Sequence, residues 1–335
     1  MIRHAAPAYI PPLWLRNGHL QSVLSSSRLR QRRGQALLDR LGARHQELLL
    51  DGGNGCVLQA WHSQLPSTAP RALALLLHGW EGSAESGYMR MAAAQLLAAG
   101  FAVVRLNFRD HGNTHHLNEG LFHSARIDEV VHAAAELATR HPGLPMVAAG
   151  YSLGGNFALR LALRAPAAGI ALAHVAAVCP VLDPARTMDR LEQGTAVYSR
   201  YFHRKWTASL RRKRALYPEL MDGCDDAVLS QDLRALTAWL VQRHAGFQDV
   251  QAYFQAYSVA GQRIAALQVP SSVLMAADDP VIPVDGFHQW PLPAHSQLHI
   301  SPWGGHCGFI ENLRGDGWSE RWLRQVLAPA VGLTA

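Results

Sequence analysis

Gly150-Tyr151-Ser152-Leu153-Gly154 sets a serine between two glycines, after an apolar run at 146–149 and before helical spacing at 153–164. A serine hydroxyl attacks a carbonyl only when a neighbouring base takes its proton. A strand that turns sharply into a helix lifts the serine oxygen to the sheet edge, at the positive end of the helix. Glycines on both sides leave room for that turn, so the strand–turn–helix setting makes Ser152 the candidate nucleophile. The candidate base is His306, in Gly304-Gly305-His306-Cys307-Gly308, a loop between the last strand-like and the last helix-like segments. The acid that orients it is expected in the turn after the strand ending near Ala276, where Asp279 is the choice and Asp278 its adjacent competitor. Asp183, in the turn after the preceding strand, is the rival. Backbone N–H groups of Trp80 and Leu153 are the expected oxyanion donors, because His78-Gly79-Trp80 follows the third strand directly. His78 is read as shaping that loop.

Parallel strands must bring these turns to one edge. Apolar or alternating runs predict strands at 47–51, 57–62, 72–78, 101–107, 146–149, 170–179, 272–276 and 296–300. Helical spacing falls at 85–99, 124–140, 153–164 and 311–326. The alternation predicts an α/β fold: a mostly parallel sheet with helices on both faces. It is interrupted at about 184–265 by a helical, aromatic and charged block, read as a cap over the C-terminal edge of the sheet, where open α/β sheets keep their sites. Residues 1–45 read as an irregular N-terminal arm around a main domain at 46–335.

With 49% hydrophobic and 17% charged residues, the 335-residue chain can bury a large core. The formal charge of +6 is concentrated: Arg200, Arg204, Lys205, Arg211, Arg212, Lys213 and Arg214 fall in one stretch without an acidic residue. No global basic field suited to nucleic acid is left. Four scattered cysteines, with no C-x-x-C pair, are read as reduced thiols in a cytoplasmic protein. No cofactor is expected. His111, His115, His116 and His123 crowd one loop, but without zinc-like spacing they are read as packing residues, and no metal is expected. Asp110 is read as a turn acceptor. The apolar segment 165–182 is read as a buried strand rather than a membrane span.

The order Ser, Asp, His is that of the α/β-hydrolase fold. The chain resembles the YheT-like branch of that fold, related to the ABHD-type lipases. The resemblance rests on Asn17-Gly18-His19-Leu20-Gln21, on Leu77-His78-Gly79-Trp80-Glu81-Gly82-Ser83, and on Asn107-Phe108-Arg109-Asp110-His111-Gly112. It continues through the serine pentapeptide, Ala276-Ala277-Asp278-Asp279-Pro280 and Gly304-Gly305-His306, and is weakest in the cap. It implies a serine hydrolase acting on small-molecule or lipid carboxylic esters. Trp80 stands where many relatives carry a smaller apolar residue, which leaves the size of the acyl pocket open.

Acyl transfer, thioester or amide hydrolysis by the same triad is the alternative enzymatic reading, and a non-catalytic binding protein on this fold is the other. In the cap, Tyr198, Phe202, Trp206 and Leu210 recur every four residues beside the basic stretch. They form either a core-facing stripe or a surface for peripheral membrane contact. Sequence alone gives no oligomeric state.

Overall fold

The computed structural model describes residues 8–66 and 68–334. Eight strands form one sheet: β1 (Arg44–Asp51), β2 (Val57–Gln64), β3 (Ala72–Leu77), β4 (Phe101–Leu106), β5 (Met146–Tyr151), β6 (Leu172–Val178), β7 (Ser271–Ala276) and β8 (Gln297–Ser301). Their order is β1-β2-β4-β3-β5-β6-β7-β8. β2 pairs antiparallel with β1 and β4, and all other neighbours are parallel. In β3, β4, β5 and β7 every residue is buried, as expected for strands covered on both faces.

The chain enters through α1 (Gly18–Ser25) and α2 (Arg28–Arg40). The connecting helices are α3 (Gly87–Ala98), α4 (Ile127–Arg140) and α5 (Leu153–Arg164). The segment between β6 and β7 holds α6 (Pro184–Gln193), α7 (Ala196–Leu216), α8 (Asp226–Leu229), α9 (Leu233–Leu240) and α10 (Val250–Tyr257). A short α11 (Asp285–His288) follows β7, and α12 (Trp318–Ala330) closes the chain. The crossover through α3 runs outward from β3 to β4, and the one through α5 runs the other way, from β5 to β6. Right-handed crossovers in opposite directions place their helices on opposite faces. β3 and β5, adjacent in the sheet, flank the point where the strand order reverses, and ligand crevices form there.

Two expectations change. The N-terminal segment, expected to be irregular, is largely helical: Asn17 caps α1 through Leu20 N, and Ser27 caps α2 through Arg30 N. The last helix begins at Trp318, not near 311, because an isolated bridge between Ile310 and Gly317 holds the intervening residues in a bend.

Candidate active site

The serine turn is dictated by contact distances. A Cβ on Gly150 would stand 2.0 Å from the Gly154 carbonyl oxygen, and one on Gly154 would stand 2.2 Å from that of Leu77. Only glycine fits at either position. Ser152 takes φ 54° and ψ −119°, a strained conformation for a residue with a Cβ. Its N–H is held by Val178 O at 2.9 Å. The turn thus leans on β6, and the Ser152 side chain is left at the N-terminus of α5.

His306 Nε2 lies 2.9 Å from Ser152 Oγ, and His306 Nδ1 lies 2.9 Å from Asp279 Oδ2. Because a carboxylate only accepts, Nδ1–H donates to Asp279 and Nε2 is free to accept the serine proton. Burial works against a charge on His306, but the Asp279 carboxylate, with Cys307, outweighs burial and pushes its pKa up to about 9. The other Asp279 oxygen, Oδ1, accepts from Val281 N at 2.8 Å and Ile282 N at 2.9 Å, which fixes the carboxylate plane.

The competing acids are used elsewhere. Asp183 caps α6 by accepting from Ala185 N and Arg186 N. Asp278 Oδ1 accepts from Gly305 N at 2.8 Å and so holds the backbone of the histidine loop. Leu153 is the first residue of α5, so its N–H has no partner within the helix. Neither it nor the Trp80 N–H meets a protein acceptor among the described residues, and both residues line the cavity beside Ser152. His78 is fully buried and bridges Gly79 O and Phe108 N through its two ring nitrogens. Burial holds its pKa well below the ordinary value, so it is a neutral strut of the loop.

Several residues that position the site carry no reading from the sequence. Ser22 Oγ accepts from His306 N at 2.7 Å and donates to Gly18 O at 2.6 Å. A Cβ on Gly18 would meet the Asp278 carbonyl oxygen at 2.2 Å, so α1 is seated directly on the acid turn. The Tyr88 hydroxyl accepts from Gly79 N at 3.0 Å and steadies the His78-Gly79-Trp80 loop. Asn156 Nδ2 donates to Val181 O and Tyr257 O, joining α5 to both ends of the cap segment. The signal available in the sequence was the Asn17-Gly18-His19-Leu20-Gln21 run, which ends one residue before Ser22.

The loop histidines diverge. His111 Nε2 accepts from Glu81 N, and His115 Nε2 meets Ser209 Oγ. Asp110 accepts from Phe122 N and pairs with buried Lys213 at 2.8 Å. The aromatic stripe of α7 faces inward: Tyr198, Trp206 and Leu210 are buried, and Phe202 stacks on Trp80 with ring centroids 5.1 Å apart. Of the seven basic residues beside it, Lys205 holds Glu81 O, Arg212 holds Asn113, and Arg211, Lys213 and Arg214 pair with aspartates. The stripe is therefore core-facing, the first of the two readings given for it. Among the described residues no helix is long and apolar enough to cross a membrane.

Ser152 opens on a cavity beneath α6, α7, α9 and α10. Its walls include Trp80, Phe122, Met188, Leu191, Phe202, Trp206, Leu240, Phe254 and Ile282, and among the described residues no Asp, Glu, Lys or Arg lines it.

The sheet, the serine turn between β5 and α5, and a helical segment over the strand ends define an α/β hydrolase. The family model described as serine aminopeptidase, S33 (Hydrolase_4), matches residues 68–311, and the chain belongs to that family. Over 340 residues it is 26% identical to the slr0264 esterase of Synechocystis sp., covering 92% of this chain and 89% of that one. It is also 26% identical to the YheT esterase of Escherichia coli, covering 90% and 87% of the two chains. Among solved structures, the Pyrococcus furiosus esterase Pf2001 shares the fold with a TM-score of 0.57 at 15% identity, over 88% of this chain and 94% of that one.

Proposed function

We propose that the chain hydrolyses carboxylic esters with a neutral, apolar acyl group, with Ser152 as nucleophile, His306 as base and Asp279 as the orienting acid. The observation that carries this reading is the unbroken chain of two 2.9 Å contacts from Asp279 through His306 to Ser152, opening on an apolar cavity. Neutral His306 takes the Ser152 proton as Oγ attacks the ester carbonyl. The N–H groups of Trp80 and Leu153 receive the developing oxyanion. His306 returns the proton to the departing alkoxide, leaving an acyl-enzyme. It then deprotonates a water molecule that releases the carboxylic acid, and Ser152 regains its proton.

The cavity lining favours esters over the peptide substrates in the family's description. An aminopeptidase must hold the substrate's ammonium group, which calls for a carboxylate, and none of the described residues lining this cavity supplies one. Trp80 from the loop after β3 and Phe202 and Trp206 from α7 form one aromatic wall of the cavity, a set suited to alkyl or aryl carbon. Acyl transfer or thioester hydrolysis would use the same acyl-enzyme and differ only in the acceptor or leaving group.

Turnover of p-nitrophenyl esters of graded chain length, set beside amino-acid p-nitroanilides, tests the reading. Esters are expected to turn over and the anilides not. Ser152→Ala should lower kcat by ~10⁴–10⁶ and abolish labelling by a fluorophosphonate, because triad members act as a unit. Labelling of that variant at the wild-type rate would overturn the assignment.

A further inference from the structure

Two thiols stand beside the base, and the proposed mechanism uses neither. Cys179 is the residue after β6, and Cys307 follows His306 directly. Both are free and buried. Both have left-handed backbone, with φ 45° and 58°, which costs a residue with a Cβ and points both side chains toward the site. Cys179 Sγ lies 3.7 Å from Gly305 O, and Cys307 Sγ lies 3.7 Å from Val178 O, the carbonyl that also receives the Ser152 N–H. One ring nitrogen of His306 and the two sulfurs lie within 4.8 Å of one another.

That spacing is close to what a metal ion requires. With metal–sulfur bonds of about 2.3 Å in a tetrahedron, two sulfurs stand about 3.8 Å apart, so the cluster closes by side-chain shifts of at most about 1 Å. An imidazole with two thiolates is a soft donor set, suited to Zn²⁺, Cd²⁺ or Cu⁺ and not to Mg²⁺ or Ca²⁺. Three protein ligands leave a fourth position for water.

We propose that Cys179, Cys307 and His306 form an inhibitory site for a thiophilic cation of the Zn²⁺ class, which switches the enzyme off by capturing its base. The consequence holds whichever ring nitrogen binds. Nε2 serves Ser152 and Nδ1 serves Asp279, so coordination through either breaks the proton path. Coordination needs both sulfurs as thiolates and the imidazole neutral; each thiol gives its proton to solvent, and binding tightens as pH rises. The inhibitory role rests on His306 being the base; the binding does not.

The experiment separates the two. Chelator-stripped protein, kept reduced with a phosphine, is titrated with Cd²⁺ while the thiolate-to-Cd²⁺ charge-transfer band and fluorophosphonate labelling are followed. A saturable band with one ion per chain is expected, competed away by Zn²⁺, with labelling falling in step and returning on addition of EDTA. Cys179→Ala and Cys307→Ala keep the backbone demands of the parent residues, and each should weaken Cd²⁺ binding by at least ~10²-fold, beyond the loss of an outer-sphere contact. Both variants should be labelled in the presence of Cd²⁺ that silences the parent; labelling without metal reports their fold, and either one suffices. Ser152→Ala should retain the band, which checks the site without any catalytic step. Absence of the band, its persistence in both cysteine variants, or full labelling of Cd²⁺-saturated protein would each overturn the proposal. Failure of the metal-free parent to label would instead count against Ser152 as nucleophile.

Discussion

Asp279→Asn is the substitution for which the structure forces an outcome. Asp279 Oδ1 receives two backbone N–H groups, from Val281 and Ile282, so an asparagine must keep its carbonyl oxygen on that side. Its NH₂ group then faces His306 Nδ1, at the position where the carboxylate Oδ2 now accepts. Two donors cannot face each other, so the imidazole proton moves to Nε2, and Nε2 can no longer accept from Ser152. The turn survives and the base is in the wrong tautomer. A kcat loss of ~10³–10⁴ is expected, about 4–5.5 kcal/mol of transition-state stabilisation. The pH profile supplies an independent readout. Only neutral His306 is a base, so wild-type kcat/KM should rise with pH through an inflection above the ordinary histidine value of 6.5, toward about 9. Removing the carboxylate removes the main influence that raises this pKa and leaves burial, which lowers it, so the inflection in the variant should move to lower pH. The same raised value adds stability that is fully present below pH 6.5 and lost as pH rises toward about 9, so the variant's stability deficit should shrink across that window. Ester turnover and fluorophosphonate labelling from pH 5 to 10 measure kinetics, and urea unfolding across the range measures stability. Asp183→Asn keeps a good helix cap and should change little. A larger loss in Asp183→Asn or Asp278→Asn than in Asp279→Asn would refute the reasoning.

Trp80→Ala should raise kcat/KM for long-chain relative to short-chain esters, because the indole stacks on Phe202 and meets Trp206 edge-on at the cavity wall; an unchanged chain-length profile would place the acyl group elsewhere. Arg30→Met leaves the Glu320 carboxylate buried without its partner and should cost ~3–5 kcal/mol in urea unfolding, with much of the loss recovered by adding Glu320→Leu. EDTA should not lower esterase activity, since no step proposed here uses an ion; a loss restored by added Zn²⁺ would contradict that mechanism.

The parts of the molecule legible in the sequence are those where one physical constraint dominates locally. A strand covered on both faces must be apolar throughout, and Ala72–Leu77 and Met146–Tyr151 announce themselves that way. The serine turn is legible because two close approaches admit only glycine. What escaped depends on partners far away in the chain. The helix α2 carries Arg28, Arg30, Arg32, Arg33 and Arg40, and Leu38 near its C-terminal end is its one fully buried apolar side chain. Over its first half it packs through Gly34, where an added Cβ would stand 2.8 Å from the Arg90 Cβ, and through Arg30, which is wholly buried on Glu320. An arginine in a core and a glycine in a helix each argue against a packed helix until the partner is known. The α7 stripe was legible as a helix, but whether it faced core or lipid depended on Trp80, more than a hundred residues away in the chain.

The same dependence explains why the N-terminal segment belongs to the site. The histidine loop lies beyond the last strand and follows an irregular path, with left-handed backbone at Gly304, Gly305, Cys307 and Phe309. A path of that kind cannot hold itself by a regular ladder of hydrogen bonds, yet the base must stay within hydrogen-bond reach of Ser152. Its fastening comes from the other end of the chain. Ser22 takes the His306 N–H, Arg30 Nη1 donates to Gly308 O, and buried Gln21 both donates to Ile310 O and accepts from Ile310 N. A Cβ on Gly305 would meet the Gly18 carbonyl at 2.2 Å, so the loop and α1 are in direct backbone contact. From the same helix, His19 reaches Tyr198 at the start of α7, where the ring nitrogen and hydroxyl are 2.9 Å apart. One short helix thereby touches the acid turn, the histidine loop and the cap. The position of His306 relative to Ser152 is set by residues 18–30 as much as by the sheet that carries Ser152.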